Sequence, residues 1–164
     1  MNNVGSTHSL FYHYFSSKEE LFQLILESIM EDMGNELACI QTAQTANEAL
    51  EELVSRFLGM LPKKEKAQAI YLLLNLHLQK DKIPEPPQNE EYKHKTIWNF
   101  IYSLIERGQQ EGDFLPGDPK EYTIVLLVLL QGLAYKAMYI KKKNLVTPSV
   151  EIIMNLVRKE AHDA

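Results

Sequence analysis

The segment Ile124 to Leu130 reads Ile-Val-Leu-Leu-Val-Leu-Leu, seven apolar residues without a polar one. Ahead of it, Asp118-Pro119-Lys120-Glu121 supplies a helix cap, a proline at the first helical position and an acid in the first turn. The spacing predicts a helix from Asp118 to about Lys142, with Lys141, Lys142 and Lys143 where positive charge complements a helix C-terminus. An outer helix of a small bundle carries one apolar face, whereas this run is apolar on every face. Such a helix needs cover on two sides, its own core and something else. Gln131 and Lys136 interrupt the run, which falls short of the roughly 20 apolar residues a membrane span requires. The second cover is therefore expected to be protein.

The rest of the chain also reads as helix. Ser17-Lys18-Glu19-Glu20 and Thr45-Ala46-Asn47-Glu48 are capping boxes. Behind the first, Phe22, Ile25, Ile29 and Met33 form a stripe that weakens at Gly34-Asn35. Behind the second, Leu50, Leu53, Val54, Phe57, Leu58 and Leu61 recur at helical spacing until Pro62. Ala67 to Gln79 predicts a buried helix, with a buried strand as the competing reading. Pro84, Pro86 and Pro87 mark a loop. A helix from about Asn89 to Gly112 carries Trp98 and Tyr102, and Thr147-Pro148 opens a last helix to Lys159 with Val150, Ile153, Met154 and Val157 on one stripe. No strand and no repeat is evident. The expectation is an all-α bundle of six or seven helices.

At 164 residues, 45% hydrophobic and 24% charged, the chain has the composition of a globular domain. A net charge of −5 argues against a surface dominated by nucleic acid. Cys39 is the single cysteine and can form no internal disulfide, which suits the cytoplasm. His8, His13, His77, His94 and His162 show no metal spacing, and no nucleophile–base motif or phosphate loop is present. The reading is therefore of no metal, no cofactor and no enzyme.

Tyr12-His13-Tyr14-Phe15-Ser16-Ser17-Lys18-Glu19-Glu20-Leu21 resembles the end of the DNA-binding head of tetracycline-repressor-type transcriptional regulators, with its Y-x-Y-F and S-K-E-E-L signature. Arg107-Gly108 to Gly112 looks like that family's R-G-x-x-x-G turn, and Asp118-Pro119 and Gln131-Gly132-Leu133-Ala134 fall where the family has a cap and a Q-G-L/A step. The resemblance implies residues 1–33 as a remnant of the helix-turn-helix head, and 34–164 as a ligand-binding and dimerisation domain. Thr7, His8, Ser9 and His13 then lie on or near the base-reading face, with Tyr12, Tyr14 and Lys18 gripping phosphate. Family members carry two further helices before this point. The chain is thus expected to be N-terminally truncated and to bind operator DNA weakly.

Two further sites are expected. A ligand cavity with aromatic walls is drawn from Phe57, Met60, Tyr71, Leu74, His77, Trp98, Tyr102, Tyr135 and Met138. In an acidic chain, its effector is expected to be apolar or cationic. A homodimer is expected through Ile124, Leu127, Val128, Gln131, Gly132 and Tyr135 of one helix and Val150, Ile153 and Val157 of the last, two helices from each subunit as in the family. The functional expectation is a ligand-responsive regulator, by family default a repressor. The alternative is a helical small-molecule-binding or interaction dimer with no DNA role.

Overall fold

The computed structural model describes residues 42–76 and 97–159, together with Ser17, Leu24, Ser28, Asn35 and Ile40. Among these the chain is helical and holds no strand beyond one isolated bridge between Phe114 and Arg158. The DNA-binding positions Thr7, His8, Ser9, Tyr12, His13, Tyr14 and Lys18 lie outside the described residues, as does His77.

Helix α1, Ala46–Met60, begins at the expected capping box. Thr45 accepts from the Glu48 backbone N–H, and the Glu48 carboxylate accepts from the Thr45 backbone N–H. The helix buries Ala49, Leu50, Leu53, Val54 and Phe57. Helix α2, Lys64–Leu76, settles the strand alternative in favour of helix. Helix α3, Ile97–Glu111, buries Phe100, Ile101, Leu104, Ile105 and Gly108. Its last turn meets the start of α1. Glu111 accepts from the Ala46 backbone N–H at 2.7 Å and from Arg107 at 2.7 Å, and Arg107 donates to the Gln44 carbonyl.

The two glycines of Arg107-Gly108 to Gly112 have separate physical jobs. Gly112 takes a φ of 85°, the left-handed conformation that ends helices. Its N–H reaches the Gln109 carbonyl at 3.2 Å and the Asp113 N–H reaches the Gly108 carbonyl at 3.0 Å, the paired bonds of a Schellman cap. Gly108 instead lets Phe114 fold back on the helix. A Cβ at Gly108 would stand 2.1 Å from the Phe114 ring.

Helix α4, Pro119–Tyr139, follows a loop whose carbonyls at Leu115 and Gly117 accept from Gln109. Asp118 caps it as expected, accepting from Lys120, with Pro119 in the first turn. Helix α4 packs on α2 and on α3, while α3 also packs on α1. At 21 residues, with a mean hydropathy of 1.4 over its most apolar 18, α4 does have the length and composition of a membrane-crossing segment, contrary to the expectation from its interruptions. It is, however, built into the bundle. Thr123, Leu126, Leu130, Leu133, Ala134 and Ala137 are buried against its neighbours.

The last helix departs from expectation. It runs only from Val150 to Met154, capped by Ser149 rather than opened at Thr147. A 3-10 turn, Lys142–Asn144, precedes it. The helix α5 stops because the following backbone is used elsewhere. The Val157 carbonyl accepts from Leu115 at 2.8 Å, and the Lys159 N–H donates to Asp113 at 2.9 Å. Arg158 fixes this return by bonding Asn47 at 2.9 Å, Glu51 at 2.7 Å and Glu151 at 2.9 Å.

Gly108→Ala should destabilise the chain by about 1–3 kcal/mol, the cost of forcing extra atoms into a filled space. Urea denaturation measures it. A loss no larger than that of an exposed-site substitution would contradict this packing.

Candidate functional site

Helix α4 resolves the puzzle of a segment apolar on every face. Thr123, Leu126, Leu130, Leu133 and Ala137 are spaced alternately three and four residues apart and are buried in the bundle. Val125, Val128, Gly132, Tyr135 and Tyr139 repeat the same three–four alternation on the opposite side, and all are exposed. Such spacing keeps one seam facing one partner along a helix. The helix therefore carries two seams, one filled by its own chain and one open. Val128 is 61% exposed and Tyr139 is 70% exposed, values that for apolar and aromatic side chains leave most of the surface in water.

Gly132 stands at the middle of the open seam. A Cβ added there would meet nothing within 4 Å, so no contact inside the described chain requires a glycine. Glycine within a helix costs roughly 0.5–1 kcal/mol relative to alanine. Close approach by a second backbone would give the residue a role. Charge along α4 is mixed at its start, with Asp118, Lys120 and Glu121, and positive at its end, with Lys136 in the last turn and Lys141 and Lys143 beyond it.

The structure divides the expected dimer residues. Ile124, Val128, Gly132 and Tyr135 are exposed on α4, while Leu127 is half-buried against the core. Gln131 is engaged within the chain, donating to the Asn75 side chain of α2 at 2.6 Å. Ile153 and Val157 do not belong to an interface: they are 0% and 1% exposed, sealed into the core by the return of the chain beyond α5. Val150 is half-buried and packed on the same core. Val125 and Tyr139 are additions that sequence reading missed. Their signal was present in the three–four spacing, but a run apolar on all sides hides which of its two seams is the inner one.

The described members of the expected ligand cavity lie in different settings. Phe57 is 5% exposed and part of the core of α1. Tyr71, Leu74 and Met138 are half-buried and pack on that core, and Met60 is half-buried. Trp98 and Tyr102 sit half-buried on α3, whereas Tyr71 and Leu74 sit on α2, and each of these helices takes α4 as a main packing partner. What does assemble is a run of tyrosines. The Tyr71 and Tyr135 rings are 5.6 Å apart and the Tyr135 and Tyr139 rings 4.8 Å apart, both tilted. These are favourable aromatic separations. Asn75 also donates to the Tyr71 carbonyl at 2.7 Å within α2, which leaves its side-chain oxygen to accept from Gln131 of α4.

Tyr102 donates its hydroxyl to Glu106 at 2.7 Å. That hydrogen bond, then partial burial, then the charges of Glu106 and Asp118 raise the phenol above its ordinary range. The folded chain thus holds this proton more tightly than the unfolded chain. The stabilisation is present below the ordinary tyrosine range and is lost as pH rises through the raised value. In an NMR titration of the tyrosine ring carbons, Tyr102 should ionise later than a free phenol, and Glu106→Ala should bring it back toward the ordinary range. An unchanged Tyr102 midpoint in that variant would contradict the assignment.

Among the described residues no group of three or more histidine, cysteine, aspartate or glutamate side chains is placed to hold a metal ion. Comparison with protein-family models, with curated proteins and with solved structures gave no match to this chain.

Proposed function

We propose that this chain is the regulatory and dimerising part of a ligand-responsive transcriptional regulator of the tetracycline-repressor type, acting as a repressor and not as an enzyme. The observation that carries the reading is the open seam of α4. A long helix held by its bundle on one side and bare along Val125, Val128 and Gly132 on the other is built to meet a second copy. The DNA role is supported by the Tyr12–Leu21 sequence pattern and by the R-G-x-x-x-G turn, whose glycines have the separate cap and packing roles described above.

In this reading α4 is a bundle helix and not a membrane span, because Gln131 is committed to Asn75 and the inner seam to α2 and α3. A small effector bound to the bundle favours one relative placement of the two heads. That placement decides whether both reach half-sites about one helical turn apart.

Val128→Glu tests the seam. Val128 is exposed in the single chain, so the variant should fold with unchanged helicity. In a dimer it would bury an unpaired charge, and sedimentation should show the dimer weakened by at least about tenfold. A wild-type chain that remains monomeric at micromolar concentration would refute the seam as a dimer surface.

The DNA role is tested separately by selecting binders from a random duplex pool at physiological salt. The expected result is weak binding that enriches no one site. Nanomolar binding to one selected duplex, lost on Lys18→Ala, would contradict that expectation, and a dimer with no measurable DNA affinity would leave a helical binding or interaction dimer with no DNA role.

A further inference from the structure

The charges of this acidic chain are unevenly placed. Between Glu121 and Glu151 there is no acidic residue, and the stretch holds four lysines: Lys136, Lys141, Lys142 and Lys143. Three of them follow Tyr139 within four residues, at the corner where the run of tyrosines reaches the surface. The expectation of an apolar or cationic effector rested on the net charge of the whole chain, and the local distribution is the reverse.

The geometry of the corner is specific. Tyr71 is half-buried, Tyr135 is 50% exposed and Tyr139 is 70% exposed, so the rings step outward from the bundle. The 3-10 turn Lys142–Asn144 bends the chain directly after α4. Lys136 donates to the Val146 carbonyl at 3.1 Å, which holds the turn near the end of the helix. Lys141 and Lys143 are exposed and make no ion pair among the described residues. The C-terminus of α4 does present carbonyl oxygens, equivalent to about half a negative charge. Lys136 in the last turn already offsets that, and the lysines beyond it exceed it.

We infer that the corner formed by Tyr135, Tyr139, Lys141 and Lys143 binds a small aromatic acid, its ring on the tyrosine faces and its carboxylate or sulfonate on the lysines. The inference rests on the reading of the chain as effector-responsive, and it names the class of effector. Aromatic stacking supplies orientation, and the ammonium groups supply charge-assisted hydrogen bonds.

The test is isothermal titration of the full chain with three probes of one shape: 2-naphthalenesulfonate, neutral 2-naphthol and cationic 2-naphthylmethylammonium. The sulfonate should bind saturably and more tightly than the other two. Lys141→Gln with Lys143→Gln, and separately Tyr139→Ala, should each weaken it by about tenfold, the scale of one charge-assisted contact or one ring face. These side chains are exposed, so the variants should retain the fold, which circular dichroism checks. Lys120→Gln with Lys159→Gln, two exposed lysines at the opposite end of α4, should leave binding unchanged. Equal weakening by that control pair would mean diffuse attraction and would overturn the site. Tighter binding of the cation or of naphthol would overturn the ligand class while leaving an effector site in place. If no probe binds although the chain still dimerises through Val128, the corner is not a ligand site and the dimer reading stands. Displacement of the sulfonate by a single-stranded oligonucleotide or by anionic vesicles at lower concentration would assign the corner to a macromolecular partner instead.

Discussion

The constraint on which the described structure depends is the double commitment of α4. Leu126, Leu130 and Leu133 are turned into the bundle, and α2 and α3 both pack against that side. Burial of a leucine side chain contributes roughly 1.5–3 kcal/mol, so this inner seam is a main source of the energy that holds the bundle together. The same composition leaves Val125, Val128 and the tyrosines in water on the far side. A chain gains nothing in its own stability from a second apolar seam. Its presence is the strongest physical reason to assign the helix a partner.

The ends of α4 fix where that seam points. At its start, Asp118 and Pro119 set the first turn, and the loop before them is pinned from two directions. Gln109 of α3 holds the carbonyls of Leu115 and Gly117, and Val157 and Lys159 pair with Leu115 and Asp113. Arg158 then carries this C-terminal return to α1 through Asn47 and Glu51. At its middle, the Gln131–Asn75 bond registers α4 against α2. A buried polar contact of this kind adds modestly to stability but specifies which residues lie opposite one another. Together these contacts give the outer seam a defined orientation on the bundle, which a symmetric partner requires.

Local signals in the sequence were reliable where the cause is local. The Thr45 capping box, the Asp118 cap and the end of α3 at Gly112 all depend on residues within one turn, and all are present. That α4 carries more apolar surface than its own core covers was also legible, from a run too apolar for one face. What periodicity does not encode is which helix meets which. Phe57 and Tyr102 share the composition of a pocket wall, yet one is sealed in the core and the other bonds Glu106 on its own helix. The last helix failed for a related reason. Val150, Ile153 and Val157 have helical spacing, but the backbone after Met154 is drawn into pairing with Asp113 and Leu115, far earlier in the chain. Composition groups Tyr71 and Tyr135 as pocket-wall residues, but that their rings meet, with Tyr139 beyond them, is decided by packing alone.

Whether the outer seam of α4 is covered in solution decides between a dimerising regulator and a lone bundle. The most direct measurement is hydrogen exchange of the α4 backbone together with the thermal midpoint, each followed over about a hundredfold range of protein concentration, since a dimer's apparent stability rises by mass action. With the seam filled by a second copy, the midpoint climbs with concentration and protection increases around Val125 to Gly132. A midpoint and an exchange pattern independent of concentration would contradict that pairing, and would leave the second seam without a second copy to fill it.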